Sequence, residues 1–92
     1  MSVQWLFDVI EDLKKNPNEK SYTASLFKDG LPKIAQKVGE EGTEVVVAAL
    51  AQSDKRLIEE VADLTYHTLV LLSARGIRPD QIAAELQRRH QK

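Results

Sequence analysis

The stretch from Lys37 to His67 constrains the rest of this chain more than any other feature. Two apolar-periodic segments flank a polar joint of three residues, Gln52-Ser53-Asp54. A joint this short forces two helices to pack antiparallel. Before it stands Lys37-Val38-Gly39-Glu40-Glu41-Gly42-Thr43-Glu44, followed by the apolar run Val45 to Ala51. After it comes Glu59-Glu60-Val61-Ala62-Asp63-Leu64-Thr65-Tyr66-His67. Residues three or four apart share a helix face. Glu41 and Glu44 are three apart, as are Glu60 and Asp63, and Glu40 and Glu44 are four apart. Counted from Ser53, Glu44 lies nine residues before and Asp63 ten after, while Glu41 lies twelve before and Glu60 seven after. At about 1.5 Å rise per residue, all four carboxylates fall within roughly one or two turns of the same level.

Val38, Val45 and Ala49 make an apolar stripe with Glu41 at its edge, and Val61, Leu64, Thr68 and Leu72 make its partner, with Glu60 and Asp63 at the edge. The acids therefore border a buried seam. Carboxylates packed so closely repel, and partial burial raises the cost. A divalent cation removes both penalties. The ligands are all oxygens, with no cysteine and no well-placed histidine pair, which favours Mg²⁺ or Mn²⁺. A single E-x-x-E is usually a solvated acidic face; two facing pairs beside an apolar seam are harder to read that way.

Ninety-two residues suffice for one small domain, 1–92, and 42% hydrophobic with 29% charged residues places it among globular chains. A net charge of −1 argues against a partner held by phosphate attraction along a nucleic acid. With no cysteine, neither disulfides nor thiol chemistry are available, which fits a reducing, cytoplasmic setting. The first residues, Met1 to Asp8, lack a basic region and do not read as a signal peptide, and no apolar run approaches membrane-spanning length. Val45-Val46-Val47 and Leu69-Val70-Leu71-Leu72 are apolar around most of a turn. A lone hairpin cannot cover helices apolar on several sides, so the reading is an all-α homodimer whose helices complete a bundle.

Around the hairpin, apolar residues at 3, 6, 7, 10 and 13 give a packing helix from Val3 to Lys15, ended by Asn16-Pro17-Asn18. A short helix, Ala24 to Lys28, follows, capped by Thr23 or Ser21 and stopped by Gly30 in a left-handed conformation. Hydroxyls and free backbone N–H groups at a helix start also suit phosphate oxygens. Pro32 opens a long helix from Leu31 to about Gln52. Gly39 and Gly42 within it suggest close approach of a neighbouring backbone or a ligand. A third long helix spans Asp54 to Ala74, capped by Ser53 or Asp54 and ended by Gly76; a last one runs from Asp80 to about Arg89, with Ile82, Ala83 and Leu86 on its apolar face. Arg88 to Lys92 form a basic tail, solvated or in reach of an anion. Lys37, one turn before Glu41, is either an i,i+4 ion pair or a phosphate contact. His67, one turn after Asp63, is a ligand, a base or a hydrogen-bonded structural histidine. The E-x-x-H spacing of di-iron bundles is absent.

Three blocks carry a family resemblance: Ser21-Tyr22-Thr23-Ala24-Ser25-Leu26-Phe27 with Gly30, Ile34 to Glu44, and Glu60 to His67. The chain closely resembles the phosphoribosyl-ATP pyrophosphohydrolases, within the all-α MazG-like nucleoside triphosphate pyrophosphohydrolase superfamily. The superfamily pattern, E-x-x-E then E-x-x-D, falls on Glu41, Glu44, Glu60 and Asp63 without departure, and the likeness runs from about Leu6 to His90. It implies the free-standing form of an enzyme that is elsewhere fused behind a cyclohydrolase domain. The implied reaction is hydrolysis of the α–β phosphoanhydride of phosphoribosyl-ATP to phosphoribosyl-AMP and pyrophosphate, the second step of histidine biosynthesis. Mg²⁺ on Glu41, Glu44, Glu60 and Asp63, with Mn²⁺ a possible substitute, would clamp phosphate oxygens and activate water. Glu40, or one of the four acids, would accept the water's proton. Ser21, Tyr22, Thr23 and Lys37 would hold phosphate or ribose phosphate. Two rivals stand beside this reading: a housekeeping pyrophosphohydrolase of non-canonical nucleotides, and a dimerisation module whose acids only solubilise a bundle.

Overall fold

The computed structural model describes residues 2–91, all of whose regular structure is helical; Met1 and the last residue of the basic tail, Lys92, lie outside that range. Five helices follow in order: α1 (Val3–Lys15), α2 (Tyr22–Asp29), α3 (Leu31–Ala51), α4 (Asp54–Ala74) and α5 (Pro79–His90). The α3–α4 pair makes the most extensive packing, and α1 and α2 lie against it.

Local chemistry accounts for the ends. Hydroxyls cap three helices: Ser2 accepts from the N–H of Trp5, Ser21 from that of Ala24, and Ser53 from that of Arg56. Each satisfies one of the donors orphaned at a helix start. Because Ser21 is the cap, α2 begins at Tyr22, two residues earlier than its apolar pattern suggests, and α3 stops at Ala51 rather than Gln52. The last helix starts at Pro79 rather than Asp80, since the Gln81 side chain accepts from the backbone N–H of Arg78 and closes the turn there. Gly30 joins α2 to α3 at φ 96°, ψ 176°. That is positive φ as expected, but with extended ψ, a region open essentially to glycine alone. Gly76 (φ 70°) ends α4, with the N–H of Ile77 bonded back to the carbonyl of Leu72 and that of Gly76 to Ser73, a Schellman closure.

Phe7 and Ile10 of α1, Leu26 of α2, Ile34 of α3, and Leu69 and Val70 of α4 form the core, with Leu6, Phe27, Tyr66, Leu71 and Leu72 packed on it. A polar clasp fixes α1 to the end of α4. Lys14 Nζ donates to the Ser73 carbonyl at 2.8 Å and pairs with Glu11 at 2.9 Å, while the buried Ser73 hydroxyl donates to Glu11. A cation at a helix C-terminus is placed where the backbone dipole favours it.

The seam is rotated from the stripe that the sequence suggests. On α3 the buried positions are Ile34, Glu41 and Ala48, spaced by seven, while Ala49 is exposed and Val38 and Val45 are half-buried. On α4, Glu60 and His67 are buried and Val61 is exposed. Glu41 and Glu60 thus lie in the seam, not at its border. Space for a methyl group is open at both Gly39 and Gly42, so nothing in the described chain approaches them closely. Val46, Val47, Leu50, Ile58 and Val61 remain exposed along the hairpin, as do Ile82 and Leu86 on α5.

Candidate functional site

The antiparallel pairing of α3 and α4 brings Glu41, Glu60 and Asp63 together. One carboxylate oxygen from each lies within 4.8 Å of the other two. Glu41 and Glu60 are 7% and 4% exposed, whereas Asp63 faces outward. The Oε2 atoms of Glu41 and Glu60 are buried and have no hydrogen-bond partner. Orphaned buried oxygens of this kind are rare and costly. Three acids in one group, two with unsatisfied oxygens, suit a hard cation with oxygen ligands.

Glu44 lies outside that trio and is exposed, but it lines one cavity with Glu60. Two carboxylates this near repel when both are ionised. The Glu60 carboxyl is pushed above its ordinary value, first by the adjoining Glu44 carboxyl, then by burial; Arg56 opposes the shift. Arg56 reaches Glu60 Oε1 at 2.6 Å and Glu59 at 2.5 Å. A cavity of about 230 Å³ opens here between Glu44, Val47, Gln52, Arg56 and Glu60.

Lys37 lies 3.3 Å from Glu40 and 3.8 Å from Glu41, so it joins the site as an ion-pair partner. Its ammonium is held above the ordinary lysine value, chiefly by the hydrogen bond to Glu40. Glu40 is exposed and accepts from Gln36 at 2.7 Å and from Lys37. Those two donors hold its carboxyl below the usual value, so it is ionised but weakly basic.

The start of α2 meets α4 at Tyr66 and His67, one turn beyond Asp63. Its three polar residues have separate fates. Ser21 is occupied as a cap, and buried Thr23 hydrogen-bonds the Tyr66 hydroxyl. The Tyr22 hydroxyl lies 3.0 Å from His67 Nε2, and His67 Nδ1 lies 2.8 Å from the Asp63 carbonyl. His67 is therefore hydrogen-bonded through both nitrogens, and neither is free to ligate. Arg56 and Tyr66 were not evident as site residues from the sequence. Arg56 carries one signal, an R-x-x-x-E spacing to Glu60; Tyr66 carries none, because its role depends on Thr23 from another helix.

The fold and the site define a class: an all-α hairpin domain whose two central helices assemble an acidic cluster of metal-binding composition. The sequence is equally specific, for the phosphoribosyl-ATP pyrophosphohydrolase family profile matches residues 3–90. The chain belongs to that family. It is 55% identical over 91 residues to a phosphoribosyl-ATP pyrophosphatase of Lacticaseibacillus casei, covering 99% of this chain and 83% of the relative. A phosphoribosyl-ATP pyrophosphatase of Clostridium acetobutylicum is 51% identical over 87 residues, covering 95% of this chain and 79% of the relative. An archaeal one, from Sulfurisphaera tokodaii, is 49% identical over 84 residues, covering 91% and 89%.

Proposed function

We propose that this chain hydrolyses phosphoribosyl-ATP at the α–β phosphoanhydride, giving phosphoribosyl-AMP and pyrophosphate, the second step of histidine biosynthesis, in a Mg²⁺-dependent reaction. Family membership and the names of the relatives support the substrate. The observation that carries the cation requirement is the pair of buried, partnerless oxygens, Glu41 Oε2 and Glu60 Oε2, in one cluster with Asp63. Glu41, Glu44, Glu60 and Asp63 are the proposed ligands, with Mn²⁺ an acceptable substitute. When bound, the ion supplies charge neutralisation for a polyanionic triphosphate and acidity for the attacking water.

The residues around it have distinct tasks. Arg56 holds Glu60 Oε1, while Oε2 stays buried without a partner. Lys37 places a fixed positive charge beside the acids, suited to a phosphate oxygen. Glu40 is ionised and next to Lys37, and is one candidate to accept the water's proton; any of the four acids not fully engaged is the other. The chain works as a single domain over 1–92 and as a homodimer, whose partner covers the exposed Val46, Val47, Leu50, Ile58 and Val61. A cytoplasmic setting fits an enzyme that consumes a nucleotide metabolite.

The test compares turnover of phosphoribosyl-ATP with that of dUTP and dCTP, in wild type and Glu44→Ala. Preference for phosphoribosyl-ATP and loss of Mg²⁺-dependent turnover in the variant are expected. Comparable turnover of dUTP would favour a housekeeping pyrophosphohydrolase. A folded Glu44→Ala protein within a few-fold of wild type would remove Glu44 from the ligand set.

A further inference from the structure

An exposed tyrosine normally turns its hydroxyl to water and its ring inward, because the polar tip hydrates and the apolar body does not. Tyr22 does the reverse. It is 50% exposed, yet its hydroxyl points into the protein, onto His67. The hydrogen-bond direction follows from the acceptors present. The Asp63 carbonyl accepts only, so His67 Nδ1 donates to it, and Nε2 is left to share a hydrogen bond with the Tyr22 hydroxyl.

The tyrosine is also braced. Tyr66 lies alongside it with ring planes 28° apart and centroids 6.3 Å apart, and His67 packs edge-on at 5.8 Å. Tyr66 is itself pinned by Thr23. His67 is only 5% exposed, so its position is set by the core and by Asp63. About half of Tyr22 stays accessible, and its ring is tied through His67 to the backbone of Asp63, one member of the acidic cluster.

We propose that Tyr22 is a stacking platform for the purine base of the nucleotide substrate, and that His67 is the positioning residue that fixes it. The inference rests on the phosphoribosyl-ATP reading and adds to it the subsite for the base. The acids and Lys37 account for the phosphates, and neither offers the flat face on which an aromatic base stacks. Stacking a base on an aromatic ring is worth roughly a tenfold to hundredfold change in affinity. Ser21 and Thr23 act on the platform only indirectly, as cap and as the anchor of Tyr66.

Two measurements test this on the full-length protein. In steady-state kinetics with phosphoribosyl-ATP and saturating Mg²⁺, Tyr22→Ala is expected to raise KM about tenfold to hundredfold with kcat within about twofold. Tyr22→Phe and His67→Leu each raise KM about fivefold, and together no further, because they break one tether. His67→Gln keeps an acceptor for the phenol and restores most of the wild-type KM. In NMR titrations of wild type with AMP, adenine H2 and H8 shift upfield, and Tyr22→Ala abolishes the shift. An unchanged KM in Tyr22→Ala, multiplying effects of Tyr22→Phe and His67→Leu, or a His67→Leu protein that only melts earlier would overturn the inference. Wild type that does not turn over phosphoribosyl-ATP refutes the proposed reaction; adenine protons that do not shift in wild type refute the platform.

Discussion

Glu41→Gln should stabilise the protein in chelator and destabilise it, relative to wild type, in metal. One oxygen of Glu41 lies within 4.8 Å of oxygens of both Glu60 and Asp63. Asp63 is exposed, so water-like permittivity governs the Glu41–Asp63 pair, and their repulsion costs about 1 kcal/mol. Removing the charge recovers that amount. It also sacrifices the attraction of Lys37, 3.8 Å away, worth about 0.3–0.5 kcal/mol. The amide brings a donor next to Glu60, whose buried Oε2 lacks one, so the balance stays favourable, at about 0.5–1 kcal/mol. For a domain of this size that is a rise in Tm of roughly 2–8 °C. In metal the order reverses. Wild type at a hundred times the dissociation constant gains about 2.7 kcal/mol, or roughly 10–20 °C, and the variant loses most of it. Calorimetric melts in EDTA, Mg²⁺ and Mn²⁺ read both effects. A wild-type Tm that neither ion moves, or a variant that melts below wild type in EDTA, refutes the assignment of a cation to these acids.

The exposed apolar face on the hairpin makes a second prediction. Leu50 is 84% exposed, and burying a leucine is worth about 1.5–3 kcal/mol. A two-fold interface counts it twice, so Leu50→Glu should weaken self-association by at least about a hundredfold, measured by sedimentation equilibrium; unchanged sedimentation would place the interface elsewhere. A third concerns acid stability. Glu11 is held below its ordinary value of 4.5, first by the Ser73 hydroxyl and then by Lys14. Its folded-state value is depressed, so its contribution is present above about pH 4.5 and is lost as pH falls through the folded value. Glu11→Gln should therefore be less stable than wild type by about 1 kcal/mol near neutral pH, and the two urea midpoints should converge in acid. A gap that persists at low pH would mean that packing, not the charge, holds the clasp.

Much of this was legible in the sequence because it depends on near neighbours. The hairpin follows from two helical periods and a three-residue joint, and α1 and α4 begin and end where their apolar residues and stop signals indicate. Each cap is one of the two residues the sequence offers, Ser21 over Thr23 and Ser53 over Asp54, and Gly30 and Gly76 declare turns, since only glycine takes such backbone angles readily. The level of the acids along the hairpin also follows, because rise per residue is fixed.

Helix rotation was decided by packing. Each residue turns a helix by 100°, so a seam misread by one position, Ala49 for Ala48, carries Glu41 from the border of the interface into it. Which phase wins depends on how α1 and α2 cover the other sides of the hairpin, a contest among residues distant in sequence. The same holds for Arg56 on Glu60, Thr23 on Tyr66 and His67 between Tyr22 and Asp63. The chain thus carries, in its local pattern, the helices and the acids that meet. Only the folded arrangement determines which of those acids keep a buried oxygen without a partner, and which tyrosine is tied to His67, because both depend on contacts between helices that no periodicity encodes.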